Sequence, residues 1–191
     1  MKPILEYLST KVKPNIIIAT DETIRQIVRD EIKHLGNEAD LNHIDVRQVT
    51  DMGCLFKNSK FNGDISNWNV SNVENMSGMF ADSEFNSDIS NWDVSNVENM
   101  YTMFAYSKFS GDISNWNISN VKNMYCMFYY SKFNGDISNW DVSYVKNMYA
   151  MFAHSEFNGD ISNWDVSNVE NMSDMFEGCP LEKNPPKWYK K

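Results

Sequence analysis

The sequence predicts an α/β repeat solenoid, and three observations support this prediction. Tryptophan recurs every 24 residues, at Trp68, Trp92, Trp116, Trp140, Trp164 and Trp188. The stretch 89–112, ISNWDVSNVENMYTMFAYSKFSGD, recurs with small changes over most of the chain from residue 41. All eleven phenylalanines and every methionine except Met1 lie in this repeated region. A strict interval of this length is typical of units that bury their apolar faces by stacking on their neighbours.

Each unit combines two apolar periodicities. In the run 91–95, NWDVS, apolar and polar residues alternate, which predicts a short strand with one buried side. The run 97–104, VENMYTMF, has apolar residues at helical spacing, and 95–98 has the S-x-x-E pattern of a capping box. A turn of the type FNGD or FSGD then reverses the chain. Together these features indicate a leucine-rich-repeat-like coil with short parallel strands on one face and short helices on the other.

Three regions are predicted along the chain. Residues 1–40 do not follow the repeat and form an N-terminal helical cap, residues 41–180 form the solenoid of 24-residue units, and residues 181–191 form a C-terminal cap. The final segment contains two consecutive prolines, which remove backbone donors and so end the stacking.

The N-terminal region contains one clear amphipathic helix. Residues 21–35, DETIRQIVRDEIKHL, place their apolar residues on one helical face, with Thr20 or Asp21 as the N-cap and Gly36 as the stop. Two shorter apolar runs precede it, at 4–8 and 15–18, and each fits either a helix or a strand.

The repeated motif W-[DN]-V-S-N-V-x-N-M-x-x-M-F-x-x-S-x-F-N-x-D-I-S-N extends over residues 41–188. It resembles the BspA-like leucine-rich repeat family, including the repeats of mycoplasma surface lipoproteins. The resemblance implies a solenoid used for adhesion or protein contacts, commonly at bacterial surfaces and without catalysis. The chain departs from many members in having serine where they carry a small cysteine, at Ser59, Ser83, Ser107, Ser131 and Ser155.

The composition and the apolar pattern limit the kinds of partner and the cellular location that we expect for the chain. The formal charge of −9 and the pI near 4.8 argue against broad nucleic-acid binding, which needs a surplus of Lys and Arg. No apolar run reaches the length of a membrane span. Residues 1–14 lack the layout of a signal peptide, so the chain as given is expected to be cytoplasmic. The family resemblance makes the cell surface the other possible location.

The cysteines and histidines predict neither disulfides nor a cofactor or metal site. Cys54 and Cys126 occupy the same unit position three units apart, roughly 15 Å at about 5 Å per unit, whereas a disulfide needs Cα atoms within about 7 Å. With Cys179 they are therefore expected to be free thiols. The histidines, at positions 34, 43 and 154, are scattered, and no phosphate-binding loop or nucleophile elbow occurs.

A row of aspartates recurs just before the predicted strands, at Asp64, Asp88, Asp112, Asp136 and Asp160. Paired carboxylates could serve acid–base chemistry or bind a hard cation such as calcium. An active site is normally one constellation of unlike groups, whereas this group is copied in every unit. The row is therefore predicted to bind backbone groups in the turns.

Two surfaces are candidates for binding a partner. The first is the outward side of the predicted strands: Asn91, Asp93, Asn115, Asn117, Asn139 and Asp141. The alternative is that this surface is only a solvated face, or that its asparagine side chains hydrogen-bond to one another and so help the units to stack. The second surface lies on the central units, where tyrosine replaces smaller residues: Tyr101, Tyr106, Tyr125, Tyr129, Tyr130 and Tyr149.

Lys122 and Lys146 replace the glutamate of the capping box in the same central units. A cation at a helix N-terminus opposes the helix dipole and costs a few tenths of a kcal/mol. Exposed tyrosines beside cations suit a protein interface, which favours partner binding at the central units. The alternative is a tyrosine ladder that only stabilises the solenoid.

These observations predict a non-enzymatic scaffold for protein–protein interaction, with a protein partner of unknown identity. The alternative function is a bacterial surface adhesin that binds host matrix or a glycan. Divergent units at both ends of the repeat favour a monomer.

Overall fold

The computed structural model describes residues 15–190. The apolar run 4–8 and the N-terminal stretch examined for a signal peptide lie outside the described residues. Strand β1 (Ile17–Thr20) is followed by helix α1 (Ile24–Leu35) and strand β2 (Ile44–Gln48), and a 3₁₀-helix spans Pro180–Glu182. The run 15–18 therefore contributes to a strand. β1 and β2 pair in parallel, with Ile17 opposite Ile44.

Helix α1 confirms the predicted amphipathic helix. Ile24 and Val28 are buried against the first repeated unit, and Gly36 ends the helix with a φ of 97°, a value that glycine adopts without strain. The predicted N-caps are wrong, because Thr23 occupies the cap position and makes no side-chain cap hydrogen bond. No helix within residues 15–190 is long and apolar enough to cross a membrane.

Asp21, one of the two predicted caps, instead joins the start of α1 to the first unit. Its carboxylate accepts the backbone N–H groups of Thr50 and Asp51 at 2.7 and 3.0 Å. Arg25 adds a second link, because its guanidinium donates to the Gly53 carbonyl oxygen at 2.9 Å. The helix is thus attached to the repeated region by polar bonds as well as by its apolar face.

Equivalent residues of successive units lie side by side. Parallel bridges join the same position in unit after unit: Asp51 to Asn75, Asn75 to Asn99, Asn99 to Asn123, Asn123 to Asn147, and Asn147 to Asn171. The central phenylalanines stack at the same interval, with ring centroids 5.6 Å apart between Phe80 and Phe104 and 5.7 Å apart between Phe104 and Phe128. The chain therefore brings each side chain next to its own copies 24 residues before and after it.

The tryptophans fix how each unit packs on the preceding one. Trp68, Trp92, Trp116, Trp140 and Trp164 are all buried. The indole N–H of Trp92 donates to the Ile65 carbonyl oxygen at 3.2 Å, and that of Trp116 donates to Ile89 at 3.1 Å. The same bond recurs in the other units. The indole thereby buries its ring while its polar N–H keeps a partner.

The predicted short helix of each unit is wrong. Over the run 97–104 the backbone makes a chain of tight turns, in which Met103 N–H donates to the Met100 carbonyl oxygen at 3.2 Å. Thr102 and Tyr106 adopt positive φ values of 49° and 57°, which a helix does not allow. The predicted short strand at 91–95 does not form either: none of these five residues belongs to a strand or to one of the bridges. The apolar spacing suited a helix, but it equally buries one side of a chain of turns.

The amides that a helix would use internally are donated to the next unit instead. Met100, Thr102, Phe104 and Tyr106 donate to carbonyl oxygens 23 residues further along the chain, at 2.7 to 2.9 Å. The carbonyls of the alternate residues, such as Tyr101, accept from the preceding unit. We refer to this set of bonds, repeated from residues 52–58 to residues 171–177, as the amide ladder. All of its peptide dipoles point the same way, as they do in a helix.

The stacked central phenylalanines, which we call the phenylalanine column, should contribute a large share of the folding stability. Phe128 is fully buried and lies between Phe104 and Phe152, with Phe133 stacked at 4.4 Å. We expect Phe128→Ala to lower the free energy of unfolding in urea by about 3–5 kcal/mol, because it opens a cavity and removes these ring contacts. Tyr144→Ala, at an exposed position, should change it by less than about 0.5 kcal/mol. Equal effects of the two substitutions would contradict the assignment of the column as core.

Candidate functional site

Three tyrosines form a stacked ladder on the outside of the central units. The ring centroids of Tyr101 and Tyr125 are 4.9 Å apart and those of Tyr125 and Tyr149 are 5.0 Å apart, with the rings nearly parallel. The ladder forms because the position of Tyr101 in each unit points outward. The positions of Met100 and Met103 on either side of it point inward and are buried. Tyr101 is exposed, while Tyr125 and Tyr149 are half-buried by their neighbours.

A second aromatic group lies on the same central units. Tyr106 stacks on Tyr130 with centroids 5.2 Å apart, and Tyr130 lies 4.5 Å from the imidazole of His154. Tyr129 packs edge-on against Tyr106 and Tyr130 at 5.4 and 4.8 Å. His154 was not among the predicted site residues. The signal that could have identified it is its position in the unit, which is the same as that of Tyr106 and Tyr130.

Small buried residues lie under these aromatic rings. Cys126, Ala150 and Ala153 form an apolar cluster separate from the main core, and Tyr125, Tyr129 and Tyr149 pack against it. Both aromatic groups therefore share one apolar floor. We call the resulting patch the tyrosine surface; its members are Tyr101, Tyr106, Tyr125, Tyr129, Tyr130, Tyr149 and His154.

Two titratable groups in this region, the Cys126 thiol and the Tyr149 hydroxyl, have raised pKa values. Burial raises the pKa of the Cys126 thiol to about 11, so the thiolate that would react as a nucleophile is scarce near neutral pH. A hydrogen bond to the Asp174 carboxylate raises the pKa of Tyr149. As predicted, Cys54, Cys126 and Cys179 are free thiols.

The structure changes the interpretation of the two lysines. Lys122 lies 2.7 Å from the Glu98 carboxylate and Lys146 lies 3.5 Å from Glu170, so each ammonium is paired with a neighbouring unit. No helix begins beside them, and the predicted unfavourable interaction with a helix dipole is wrong. The exposed pairs contribute little stability, but they separate what would otherwise be a column of like charges. The distinctive groups of this region are consequently its aromatic rings.

The polar residues of the predicted strand face are all exposed: Asn91, Asp93, Asn115, Asn117, Asn139 and Asp141. Several of them also have a local role. The carboxylates of Asp93 and Asp141 accept the backbone N–H of the serine two residues further on, at 3.1 and 3.0 Å. Asn117 accepts the corresponding N–H of Ser119. None of the ring contacts that join the tyrosine surface involves these residues.

The aspartate row binds backbone groups, as predicted. Each carboxylate accepts the N–H of the serine two residues later at 2.9 Å, in Asp64, Asp88, Asp112, Asp136 and Asp160. These bonds hold the pKa of each carboxyl below its ordinary value. Within residues 15–190, no group of three or more His, Cys, Asp or Glu side chains is placed to hold a metal ion.

Comparison with known proteins gives one match. Residues 25–132 and 106–189 both match the family described as Mycoplasma protein of unknown function, DUF285. The two matches overlap and together span most of the chain. No curated protein and no solved structure matches.

The tyrosine ladder should contribute stability in proportion to its contacts. Tyr125 stacks on two rings, whereas Tyr101 stacks on one. Aromatic pairs contribute about 0.5–1.5 kcal/mol each. We expect Tyr125→Ser to lower the free energy of unfolding by about 1–3 kcal/mol and Tyr101→Ser by about half as much, measured by urea denaturation. Serine is a suitable replacement because the chain itself has serine at this position in Ser77 and Ser173. Equal losses from the two substitutions would contradict a stacked ladder.

The aspartate row predicts a loss of stability in acid. Because the folded-state pKa values lie below the unfolded value of about 3.9, the stabilisation is fully present above that pH and is lost as the pH falls through the folded values. In urea titrations at a series of pH values, we expect the free energy of unfolding to fall below about pH 4.

Asparagine in place of the aspartates provides the matched test of that loss. A variant carrying Asp88→Asn, Asp112→Asn and Asp136→Asn should lose less stability in acid, because asparagine accepts the same bond without titrating. Glu156→Gln, outside the row, is the control. An acid profile of the triple variant that equals the wild-type profile would exclude the row as its cause.

Proposed function

The chain belongs to the Mycoplasma DUF285 family, and from this premise we propose that it is a non-enzymatic scaffold for protein–protein interaction. In this proposal the repeated region is a solenoid of the leucine-rich-repeat type whose motif resembles the BspA-like repeats. The parallel bridges and stacked phenylalanines at 24-residue intervals support this architecture. The units of this solenoid are coils of turns linked by the amide ladder.

The tyrosine surface is the observation on which the proposal depends. Near-identical units differ mainly in their outward residues, and the central units concentrate large aromatic side chains at those positions. Tyr101, Tyr106 and Tyr130 are about half exposed, although a tyrosine ring is apolar over most of its area. Aromatic residues of this kind are enriched at the centres of protein interfaces.

The stacking of the tyrosines also favours binding. Each ring is held by its neighbours before any partner arrives, so little side-chain entropy is lost on association. The apolar floor of Cys126, Ala150 and Ala153 keeps the rings of Tyr125 and Tyr149 from turning inward. A preorganised aromatic patch is therefore available on a rigid support.

A catalytic role has less support than a binding role. The carboxylates that recur along the chain are used to hold turns, as the 2.9 Å bonds from Ser90 and Ser114 to Asp88 and Asp112 illustrate. The one thiol at the tyrosine surface, Cys126, has a raised pKa. The surface adhesin implied by the family resemblance stays a prediction.

The proposal is tested by affinity capture with the 191-residue chain and a variant of its surface. The variant carries Tyr101→Ser, Tyr106→Ser and Tyr130→Ser, and Tyr144→Ser is the matched control because Tyr144 is exposed and makes none of the ring contacts of the surface. Proteins retained by the wild type and by the control, but lost by the triple variant, are identified by mass spectrometry and then purified. We expect the purified partner to bind the triple variant at least about tenfold more weakly, as truncation of central aromatic residues usually causes.

Two outcomes would overturn the proposal. One is that no captured protein distinguishes the wild type from the triple variant. The other is that the triple variant and Tyr144→Ser weaken binding of the purified partner equally. Near-ultraviolet circular dichroism of each variant shows whether the fold is retained, so a loss of binding is not mistaken for unfolding.

A further inference from the structure

At residues 172–176 the amide ladder ends with donors that have no acceptor within residues 15–190. In the unit before, Met148, Ala150, Phe152 and His154 donate to the carbonyls of residues 171–177. The equivalent N–H groups of Met172, Asp174 and Phe176 take part in no hydrogen bond within residues 15–190. The fourth equivalent, Gly178 N–H, donates to the Glu182 carboxylate at 3.0 Å. We call residues 172–176 the open edge.

The open edge is covered at one end and accessible at the other. Phe176 is buried, with the ring of Tyr189 packed against it at 4.9 Å. Met172 is only half-buried and Asp174 is exposed. A cleft of about 520 Å³ lies along the edge, lined by these residues and by Tyr189. The accessible amides therefore face a groove with an apolar wall.

The charges around this cleft select for a basic partner. Among residues 15–190, its lining includes the carboxylates of Asp174 and Glu177, the carboxylate of Glu170, which is paired with Lys146, and one ammonium, that of Lys190. Backbone N–H groups require acceptors, but this concentration of negative charge disfavours a free anion. Carbonyl oxygens from a peptide that also carries Lys or Arg would satisfy both requirements.

A second copy of the chain does not fit the open edge. The edge presents donors, so two such edges cannot hydrogen-bond to each other. The opposite end of the ladder presents carbonyls, but the Gly53 carbonyl already accepts from Arg25 of α1, so a second copy would have to displace Arg25. An incoming partner must therefore bring its own row of acceptors.

We propose that the open edge, with its amides of Met172 and Asp174 and its acidic cleft, docks a basic peptide segment of a partner protein through main-chain hydrogen bonds. The segment adds to the ladder as the next unit would, which is the principle of strand addition at an exposed sheet edge. Its cationic side chains lie toward Glu177, and its apolar ones lie against Tyr189. This site is separate from the tyrosine surface, and it does not depend on the function proposed above.

The chain itself supplies a matched pair of probes. A synthetic peptide copying residues 145–155, VKNMYAMFAHS, has the sequence that occupies the equivalent edge of the preceding unit, and it carries Lys146 and no carboxylate side chain. A peptide copying residues 169–179, VENMSDMFEGC, has the same register and carries Glu170, Asp174 and Glu177. By fluorescence polarisation with the 191-residue protein, we expect the first peptide to bind at least about tenfold more tightly, because the charges of the second are repelled.

Two pairs of protein variants locate the binding. Met172→Pro removes the N–H donor, whereas Met172→Ala shortens the side chain and keeps the donor. We expect the proline variant to bind the first peptide about fivefold more weakly than the alanine variant, the loss typical of one hydrogen bond. Glu177→Lys, in the cleft, should weaken binding severalfold. Glu156→Lys changes the net charge equally but lies outside the cleft, and it should leave binding nearly unchanged.

Three results would overturn this proposal. The first is equal affinity for the two peptides, and the second is an equal effect of Glu177→Lys and Glu156→Lys. The third is a dimer in analytical ultracentrifugation that Met172→Pro abolishes, because the occupant of the edge would then be a second copy. If the proline variant fails to fold, the glutamate pair still decides the outcome.

Discussion

The one-directional amide ladder is the interaction on which the rest of the structure depends. Each repeated unit before the last donates four backbone N–H groups to carbonyls of the next unit, and the bonds donated by residues 100–106 are 2.7 to 2.9 Å long. These bonds set the distance between units and forbid any slip in register. The phenylalanine column, the indole bonds of the tryptophans and the tyrosine ladder all take their spacing from it. A repeat of constant length is the sequence counterpart of this constraint.

Because the ladder fixes the register, every side chain lies beside its own copies. This favours aromatic residues, whose rings stack at the unit spacing, as Phe104 and Phe128 do in the core and Tyr101 and Tyr125 do outside. Like charges in one column repel one another, as Asp64 and Asp112 do with Asp88. Lys122 beside Glu98 and Lys146 beside Glu170 interrupt such a column of glutamates. Positions at which the residue differs between units therefore mark surfaces whose side chains are not determined by stacking alone.

The same ladder makes the two ends of the repeated region chemically different. At the carbonyl end, the Arg25 guanidinium donates to the Gly53 carbonyl oxygen. At the amide end, the Glu182 carboxylate accepts the Gly178 N–H. Each charge has the sign that the aligned peptide dipoles favour. The faces of the molecule and its ends therefore present two different kinds of surface, one aromatic and one made of backbone groups.

The sequence by itself determined the 24-residue interval, the buried columns of Trp, Met and Phe, helix α1 with its stop at Gly36, and the turn bonds of the aspartate row. These features can be read from the sequence because burial and turn formation depend on neighbouring residues. Comparison of the units also singled out the six tyrosines of the central units as candidates. Only the tertiary structure decided that residues 97–104 form turns, that Lys122 and Lys146 are paired and that His154 joins the tyrosines. It also decided that the amides of Met172 and Asp174 find no acceptor within residues 15–190. The physical reason is that an amide's choice of acceptor depends here on a carbonyl 23 residues away, which local apolar spacing does not encode.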